Sequence, residues 1–501
     1  MMRGGPSTTS RKEPRMNQAD DGVGELQLSP EAMRELGYRA VDALVDRWSA
    51  LPDEPAWRGG SRAEMDARLG PIAPPPEGPG DPDTVLREAI ESVLPQAARI
   101  DHPRFFAFIP SAPSWMAVLG DFLATGFNVF QGTWLASAGP SRVELEVVEW
   151  FRGWVGMPEG AEGVLTSGGS VANLMAVVMA REIAGNPDSP VVYLSDQGHS
   201  SLRRAARLAG IPAEGIRVLP TGPDLLLDPD RMRRAVAEDR RAGSVPILVC
   251  ANGGATNTGR VDPLAPLGRT ARELGVRLHV DAAFGGFAAL TDTGREALDG
   301  LGDADTITLD PHKWLFQPFE CGCLMAREPG ELTSVFGVQA EYLQDTELGD
   351  EQVNFGNRGV QLSRSFRALK VWMTLRTHGL DAIRRGVDHG IQLAERAEAR
   401  IRSSETLELL SPATLGIVLY RFVSDRGDAE AIDRLNRRIQ ARLIESGYAM
   451  VSSTRIEGRY ALRLCILNPR TSWSDVEGVL RRVEALGVEL SGLTGRSIEA
   501  R

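Results

Sequence analysis

Cysteine is scarce in this chain, with four in 501 residues. That is too few for a disulfide framework and fits a reducing compartment. Cys321 and Cys323 lie two apart, but no second pair or clustered histidine accompanies them, so no metal site is expected. Long apolar runs are missing too. No stretch approaches the roughly 18–20 apolar residues of a membrane span. Residues 1–24 are polar, with no apolar signal-peptide core after the basic residues. Basic charge is in the minority, 56 Lys and Arg against 67 Asp and Glu, for a net charge of −11. This balance argues against a nucleic acid partner. Arginine-rich pieces are short, such as 231–241, which is interleaved with Glu238 and Asp239 and reads as a solvated helix face. The expectation is a cytoplasmic protein with no membrane or nucleic acid partner.

The composition, 42% hydrophobic and 25% charged, is that of an ordinary globular chain. After a disordered tail over 1–24, Ser29-Pro30 marks a helix start, with Met33, Leu36, Ala40, Val41, Leu44 and Trp48 at helical spacing. The proline-rich stretch 71–83 reads as a linker. Residues 25–114 therefore form a helical and extended arm, too small to bury a core of its own. From 115 to 369 helices alternate with short apolar runs at Val164-Leu165, 191–194, 247–251, 276–280, 306–309 and 323–326. Ser141 to Glu144 has the capping-box pattern of a helix start. Such alternation predicts an α/β domain with a mostly parallel sheet covered on both faces. The weakly patterned stretch 327–358 reads as a mobile lid. Residues 370–501, with helical runs at 385–402 and 428–446 and strands near 416–422 and 460–467, predict a small α+β domain.

In parallel sheets ligands bind at the carboxyl ends of the strands. Ser167-Gly168-Gly169-Ser170, Ser195 to His199, Asp281 and Lys313 each follow a predicted strand. Gly169 and Ser170 open a helix whose backbone N–H groups can hold a phosphate; the plain alternative is a tight turn and cap. Asp281 ends a strand beside Ala282 and Ala283, which leave space, and a protonated pyridine nitrogen would be a fitting partner for its carboxylate. Lys313, flanked by Asp310, His312 and the apolar Trp314-Leu315-Phe316, has the setting of a nucleophilic amine. A lysine able to form a Schiff base and an aspartate able to pair with a ring nitrogen point to pyridoxal 5′-phosphate. His199 is placed to stack on such a ring and exchange a proton. His279 reads as structural.

These blocks, with His102 to Phe108, Thr166 to Leu174, Ser195 to Ser201, His279 to Phe284, Asp310 to Leu315 and Arg364 to Lys370, resemble the group II pyridoxal-phosphate-dependent amino-acid decarboxylases. The aromatic-L-amino-acid decarboxylase branch is the most similar. The resemblance implies a PLP-dependent transferase-like fold (fold type I) with a seven-stranded sheet. It implies Lys313 as the Schiff-base lysine, Asp281 on the ring nitrogen and His199 on the ring face. Gly169, Ser170 and His312 would hold the phosphate, and Thr256, Ala283 and Asp310 complete the cofactor set. Tyr342, within the lid, would protonate Cα; aldehyde-forming relatives often carry phenylalanine there. Phe108, Pro110, Ser111, Phe130 and Phe319 are the expected substrate pocket. Three residues depart from the pattern: Val171 for an acidic residue, Ala255 for a threonine and Asp310 for the asparagine of the animal enzymes.

The implied reaction is decarboxylation of an L-amino acid, aromatic by its pocket, to the amine and CO2, in a homodimer. The alternatives are a decarboxylase of a non-aromatic amino acid, an aldehyde-forming relative and, last, an inactive protein of the same fold used for binding. No arginine stands out to receive a substrate side-chain carboxylate, although the directions of Arg358, Arg364 and Arg367 are open at the level of sequence.

Overall fold

A computed structural model of the chain describes residues 26–110, 112–338, 349, 352–424 and 428–492. It divides into two compact units. The first, residues 26–54 and 59–97, is helical. Its helix Pro30–Ala50 begins where the sequence places it, because Ser29 accepts a hydrogen bond from the Ala32 amide at 3.2 Å and Pro30 occupies the first turn. The expected linker ends earlier than predicted. A second proline helix start, Pro82–Glu88 capped by Asp81, takes up its last residues, since proline lacks only an N–H that the first turn leaves unpaired anyway.

The second unit, residues 55–58 and 98–492, contains all the strands described. They are β1 (Phe105–Phe106), β2 (Glu162–Thr166), β3 (Pro190–Ser195), β4 (Ile216–Leu219), β5 (Val245–Asn252) and β6 (Arg277–Asp281). There follow β7 (Thr306–Leu309), β8 (Gly322–Ala326), β9 (Leu407–Thr414), β10 (Ile417–Phe422), β11 (Met450–Ile456) and β12 (Arg459–Cys465). The larger sheet has seven strands in the order β2-β8-β7-β6-β5-β3-β4. Pairing is parallel from β7 through β6, β5 and β3 to β4. β8 is antiparallel to both neighbours, so β2 again runs with β7. This polarity matters for function. The segments leaving β2, β3, β5, β6 and β7 all emerge on one edge of the sheet.

The smaller sheet has the order β1-β11-β12-β10-β9 and is antiparallel except where β1 joins β11. Phe105 and Phe106 are thus core residues, buried in that sheet. A long helix, Ala368–Arg402, breaks its α-geometry at Gly379, whose φ of 73° is left-handed.

Two elements correct the sequence reading. Ser141 does not start a helix. The helix runs Trp134–Val155 from an N-cap at Thr133, with a kink at Ser137 that puts Pro140 just beyond the break. Glu144 is therefore free for another partner, and it forms a fully buried ion pair with Arg364 while also accepting the Leu165 amide at 3.0 Å. Both ends of the stretch 327–358, read as a lid, hold regular structure, and residues 339–348 and 350–351 lie outside the described residues. The start of the stretch forms the helix Glu331–Phe336, with Leu332 buried, and near its end Phe355 is buried beside Met175 and Leu332.

Candidate active site

Polarity of the large sheet gathers the chemistry-bearing residues. A cavity of about 550 Å³ opens at the carboxyl edge, within the range of small-molecule sites. Gly169, Ser170, His199, Thr256, Asp281, Ala283, Asp310, His312 and Lys313 all line it. Phe319 lines it too, whereas Phe108, Pro110 and Phe130 do not. Phe108 and Phe130 are exposed on the surface, and Pro110 is packed inside the protein. Ser111 and Tyr342 lie outside the described residues.

Each wall has a local cause. β2 ends at Thr166, and Gly168 then turns the chain with φ 147°, a conformation that side chains rarely permit. Its Cα is so close to Gly322 that a Cβ on Gly322 would come within 2.4 Å of it. The helix Gly169–Ile183 starts at once, with its first amides at the cavity. A Cβ on Gly169 would approach Asp310 Oδ2 to 2.9 Å and Ala283 to 3.1 Å. The free amides of this bare helix start suit a phosphate group, while the buried Asp310 carboxylate beside it, whose Oδ1 has no hydrogen-bond partner, opposes one.

Lys313 follows β7 in a turn pinned by its neighbour. Trp314 is completely buried and stacks on Phe284 at 5.2 Å between ring centres. The Lys313 Nζ lies 3.0 Å from Asp310 Oδ2. His312 accepts the Cys321 amide on Nδ1 at 3.1 Å, which leaves Nε2 facing Asp310 Oδ2 at 3.6 Å. Burial holds both His312 and His199 below the ordinary imidazole pKa. Thr256 sits on a loop whose carbonyl is held by Arg463 of β12. Nearby, Thr454 of β11 binds Asn257, which in turn reaches Gln197 at 3.1 Å.

Asp281, at the end of β6, accepts the Ala283 amide on Oδ1 and the Asn173 side chain on Oδ2 at 2.8 Å. His279 keeps away from the cavity. Its Nδ1 meets Thr306 at 2.9 Å and its Nε2 meets Asn173 at 3.0 Å. Sequence reasoning passed over Asn173, Ser201, Asn252 and Glu320 as cavity residues. Asn173 had a readable signal. It stands three residues after Ser170, on a helix face shared with Ala172, Ala176 and Ala180, where a buried amide needs a purpose.

The three arginines whose directions were open all point at carboxylates: Arg364 at Glu144, Arg358 at Glu162 at 3.2 Å and Arg367 at Glu320 at 2.9 Å. None of them lines the cavity.

Known proteins agree with this picture. The pyridoxal-dependent decarboxylase conserved domain matches residues 73–423. An aromatic-L-amino-acid decarboxylase of Bacillus atrophaeus is 38% identical, with 93% of this chain aligned to 98% of that protein. A phenylacetaldehyde synthase of Petunia hybrida is 30% identical over 90% of this chain and 93% of its own length. Among solved structures, Oryza sativa TDC with PLP and tryptamine superposes with a TM-score of 0.87 at 30% identity, covering 92% of this chain and 99% of that one. The architecture is the fold type I arrangement that the resemblance implied, with its seven-stranded sheet, smaller sheet and helical N-terminal part. With the family's conserved domain running through most of its length and a 38% identical relative aligned nearly end to end, the chain belongs to the pyridoxal-dependent decarboxylases.

Proposed function

We propose that this carboxy-lyase acts on an aromatic L-amino acid, releasing CO2 and the corresponding amine. The observation that carries the reading is the convergence of Lys313, Asp281, His199 and the Gly169-Ser170 helix start on one cavity with aromatic rings in its wall and no arginine among its described lining residues. Besides Lys313, the charges there are the carboxylates Asp281, Asp310 and Glu320. An acidic substrate side chain would find no arginine among these lining residues, while Phe319 and Phe284 offer an apolar surface. The Bacillus relative's name points the same way.

Bound pyridoxal phosphate supplies the electron sink for the pair left when the Cα–carboxylate bond breaks. In this reading Lys313 holds the cofactor through Nζ, and Asp281 keeps its ring nitrogen protonated. Gly169, Ser170 and His312 take the phosphate, and Thr256, Ala283 and Asp310 border it. His199 covers the ring face, and Tyr342 delivers a proton to Cα. Phe319 contacts the substrate side chain.

The protein is also read as a homodimer. Phe108, Phe122, Phe127, Phe130 and Leu135 are exposed on the second unit, a density of large apolar side chains that a partner copy would cover. That copy would bring its exposed Phe108 and Phe130 to bear on a substrate pocket that one chain leaves open; Pro110 would back that wall from inside its own chain. The division into an arm (25–114), a cofactor domain (115–369) and a small domain (370–501) is supported by the seven-stranded sheet falling inside the second and strands β9 to β12 inside the third. Four free, buried cysteines fit a cytoplasmic location, and no helix among the described residues is long and apolar enough to cross a membrane.

The test is an amino-acid panel scored for CO2 release by the cofactor-loaded protein, with Lys313→Ala as the reference. Tryptophan, tyrosine, phenylalanine or their hydroxylated forms should lead, and Lys313→Ala should release none. Preference for glutamate, or turnover that survives Lys313→Ala, would overturn the proposal.

A further inference from the structure

We propose that Asn173 and Ser201 are positioning residues that hold His199 as its Nε2–H tautomer, so that the imidazole offers the substrate a hydrogen-bond donor and not a base. The inference deepens the decarboxylase reading and rests on it for the word substrate. The hydrogen-bond directions stand without it.

The chain of argument starts at Asn173, which is buried. Its Nδ2 donates to Asp281 Oδ2 at 2.8 Å and to Ser201 Oγ at 2.9 Å. Its Oδ1 accepts from Thr308 Oγ1 at 2.7 Å and faces His279 Nε2 at 3.0 Å. Two donors and two acceptor sites are thereby all engaged. The amide cannot be turned over, because that would press its carbonyl against the Asp281 carboxylate, which only accepts. The direction of every neighbouring bond follows. His279 must carry its proton on Nε2. Ser201 Oγ accepts a hydrogen bond from Asn173, so its own hydroxyl hydrogen is free to point elsewhere.

That hydrogen has an acceptor. His199 Nδ1 lies 2.7 Å from Ser201 Oγ. The Ser201 backbone amide points to the same nitrogen at 3.3 Å, as His199 caps the helix Ser200–Leu208. Two donors converge on one nitrogen, so Nδ1 supplies the lone pair and the proton of a neutral ring sits on Nε2. The ring stays neutral because burial outweighs its surroundings: Asp281 and Asp310 favour the cation, whereas Lys313 and Arg204 oppose it.

His199 lines the cavity, and its only lone pair is already in use. The group left for a ligand is an N–H, which suits an anionic oxygen such as the substrate α-carboxylate. It does not suit removal of a proton. A neutral imidazole N–H is also a weak acid, so the Cα proton comes from another group, the role given above to Tyr342. Because Asn173 binds both Asp281 and Ser201, the partner of the cofactor ring nitrogen and the histidine over the ring are set by one amide.

The chain has six histidines, so histidine-selective nitrogen labelling gives a tractable NMR spectrum. His199 is identified as the signal missing from His199→Gln. In the wild-type protein, with or without pyridoxal phosphate, His199 should show a protonated Nε2 and a lone-pair Nδ1 at pH 7. In Ser201→Ala the Nδ1–H form should become populated, with kcat/KM down about tenfold. Ser201→Thr, which keeps the hydroxyl, should restore both. A proton on Nδ1 in the wild type, or a tautomer unmoved by Ser201→Ala, would overturn the inference. If the tautomer is as stated but no amino acid is decarboxylated, the functional reading fails and the hydrogen-bond assignment stands.

Discussion

Lys313 Nζ sits 3.0 Å from Asp310 Oδ2, and the Asp310 side chain is almost fully buried. The other Asp310 oxygen has no hydrogen-bond partner. The same carboxylate borders the Gly169 helix start, the surface proposed to take the cofactor phosphate. Asp310 therefore has two opposed effects, attraction to the lysine and repulsion of the phosphate.

Replacing it separates them. Asp310→Asn removes a negative charge from beside an anionic group at similar side-chain volume. Cofactor affinity should rise roughly fivefold, about 1 kcal/mol at the effective dielectric of a partly buried site. Fluorescence titration of the cofactor-free protein measures it, and weaker binding would show that the Lys313 contact dominates.

His279 makes the fold sensitive to acid. Burial, partly offset by Asp281, pushes its pKa from 6.5 down to about 4. Below pH 6.5 the unfolded chain binds a proton that the folded chain refuses until about pH 4. The stabilisation is thus complete above 6.5 and is lost as pH falls. Between pH 7 and pH 5 the loss from this one group is about 2 kcal/mol. His279→Gln should flatten the urea-denaturation stability difference between those two pH values. An unchanged difference would assign the acid sensitivity elsewhere.

Much of this was legible in the sequence, for physical reasons. The buried strands β3, β5, β6, β7 and β8 are short apolar runs because both faces are covered. β4 and β9 close the open edges of their sheets and carry polar and half-exposed residues, so no apolar run announces them. The residues proposed to hold the cofactor stood out because strand ends converge, and they line one cavity. Asn173 and Ser201 were not singled out, since their importance lies in hydrogen bonds to residues 108 and 28 positions away. Glu144 misled by local pattern. Its spacing from Ser141 mimics a capping box, yet its partner is Arg364, 220 residues on.

Phe127 tests the dimer. It is 80% exposed at the end of the helix Trp115–Gly126, with Phe122 66% exposed on that helix. If a second copy covers this surface, Phe127→Asp places a charge in an apolar contact and should shift the protein from dimer to monomer at micromolar concentration. The expected loss of association is at least tenfold, as for a buried aromatic anchor. Sedimentation velocity reads the state directly. A wild-type monomer, or a variant that stays dimeric, would remove this surface from the interface.

Tyr342 is the residue proposed to decide what leaves the enzyme. The geometry around His199 leaves its Nε2 protonated and its lone pair occupied, so a neutral imidazole is a poor source of the Cα proton. The phenol of Tyr342 is the donor proposed instead. In Tyr342→Phe the substrate carbanion persists after CO2 departs and can meet dissolved oxygen. Oxygen then takes up two electrons to become hydrogen peroxide, and water releases ammonia and leaves the aldehyde. Amine formation should fall by tenfold or more, with peroxide and ammonia appearing in equal amounts. The phenylacetaldehyde synthase relative shows that aldehyde formation occurs among similar chains. If Tyr342→Phe makes amine at the wild-type rate and no peroxide, the proton comes from another group, and the role argued for His199 would have to be reopened with it.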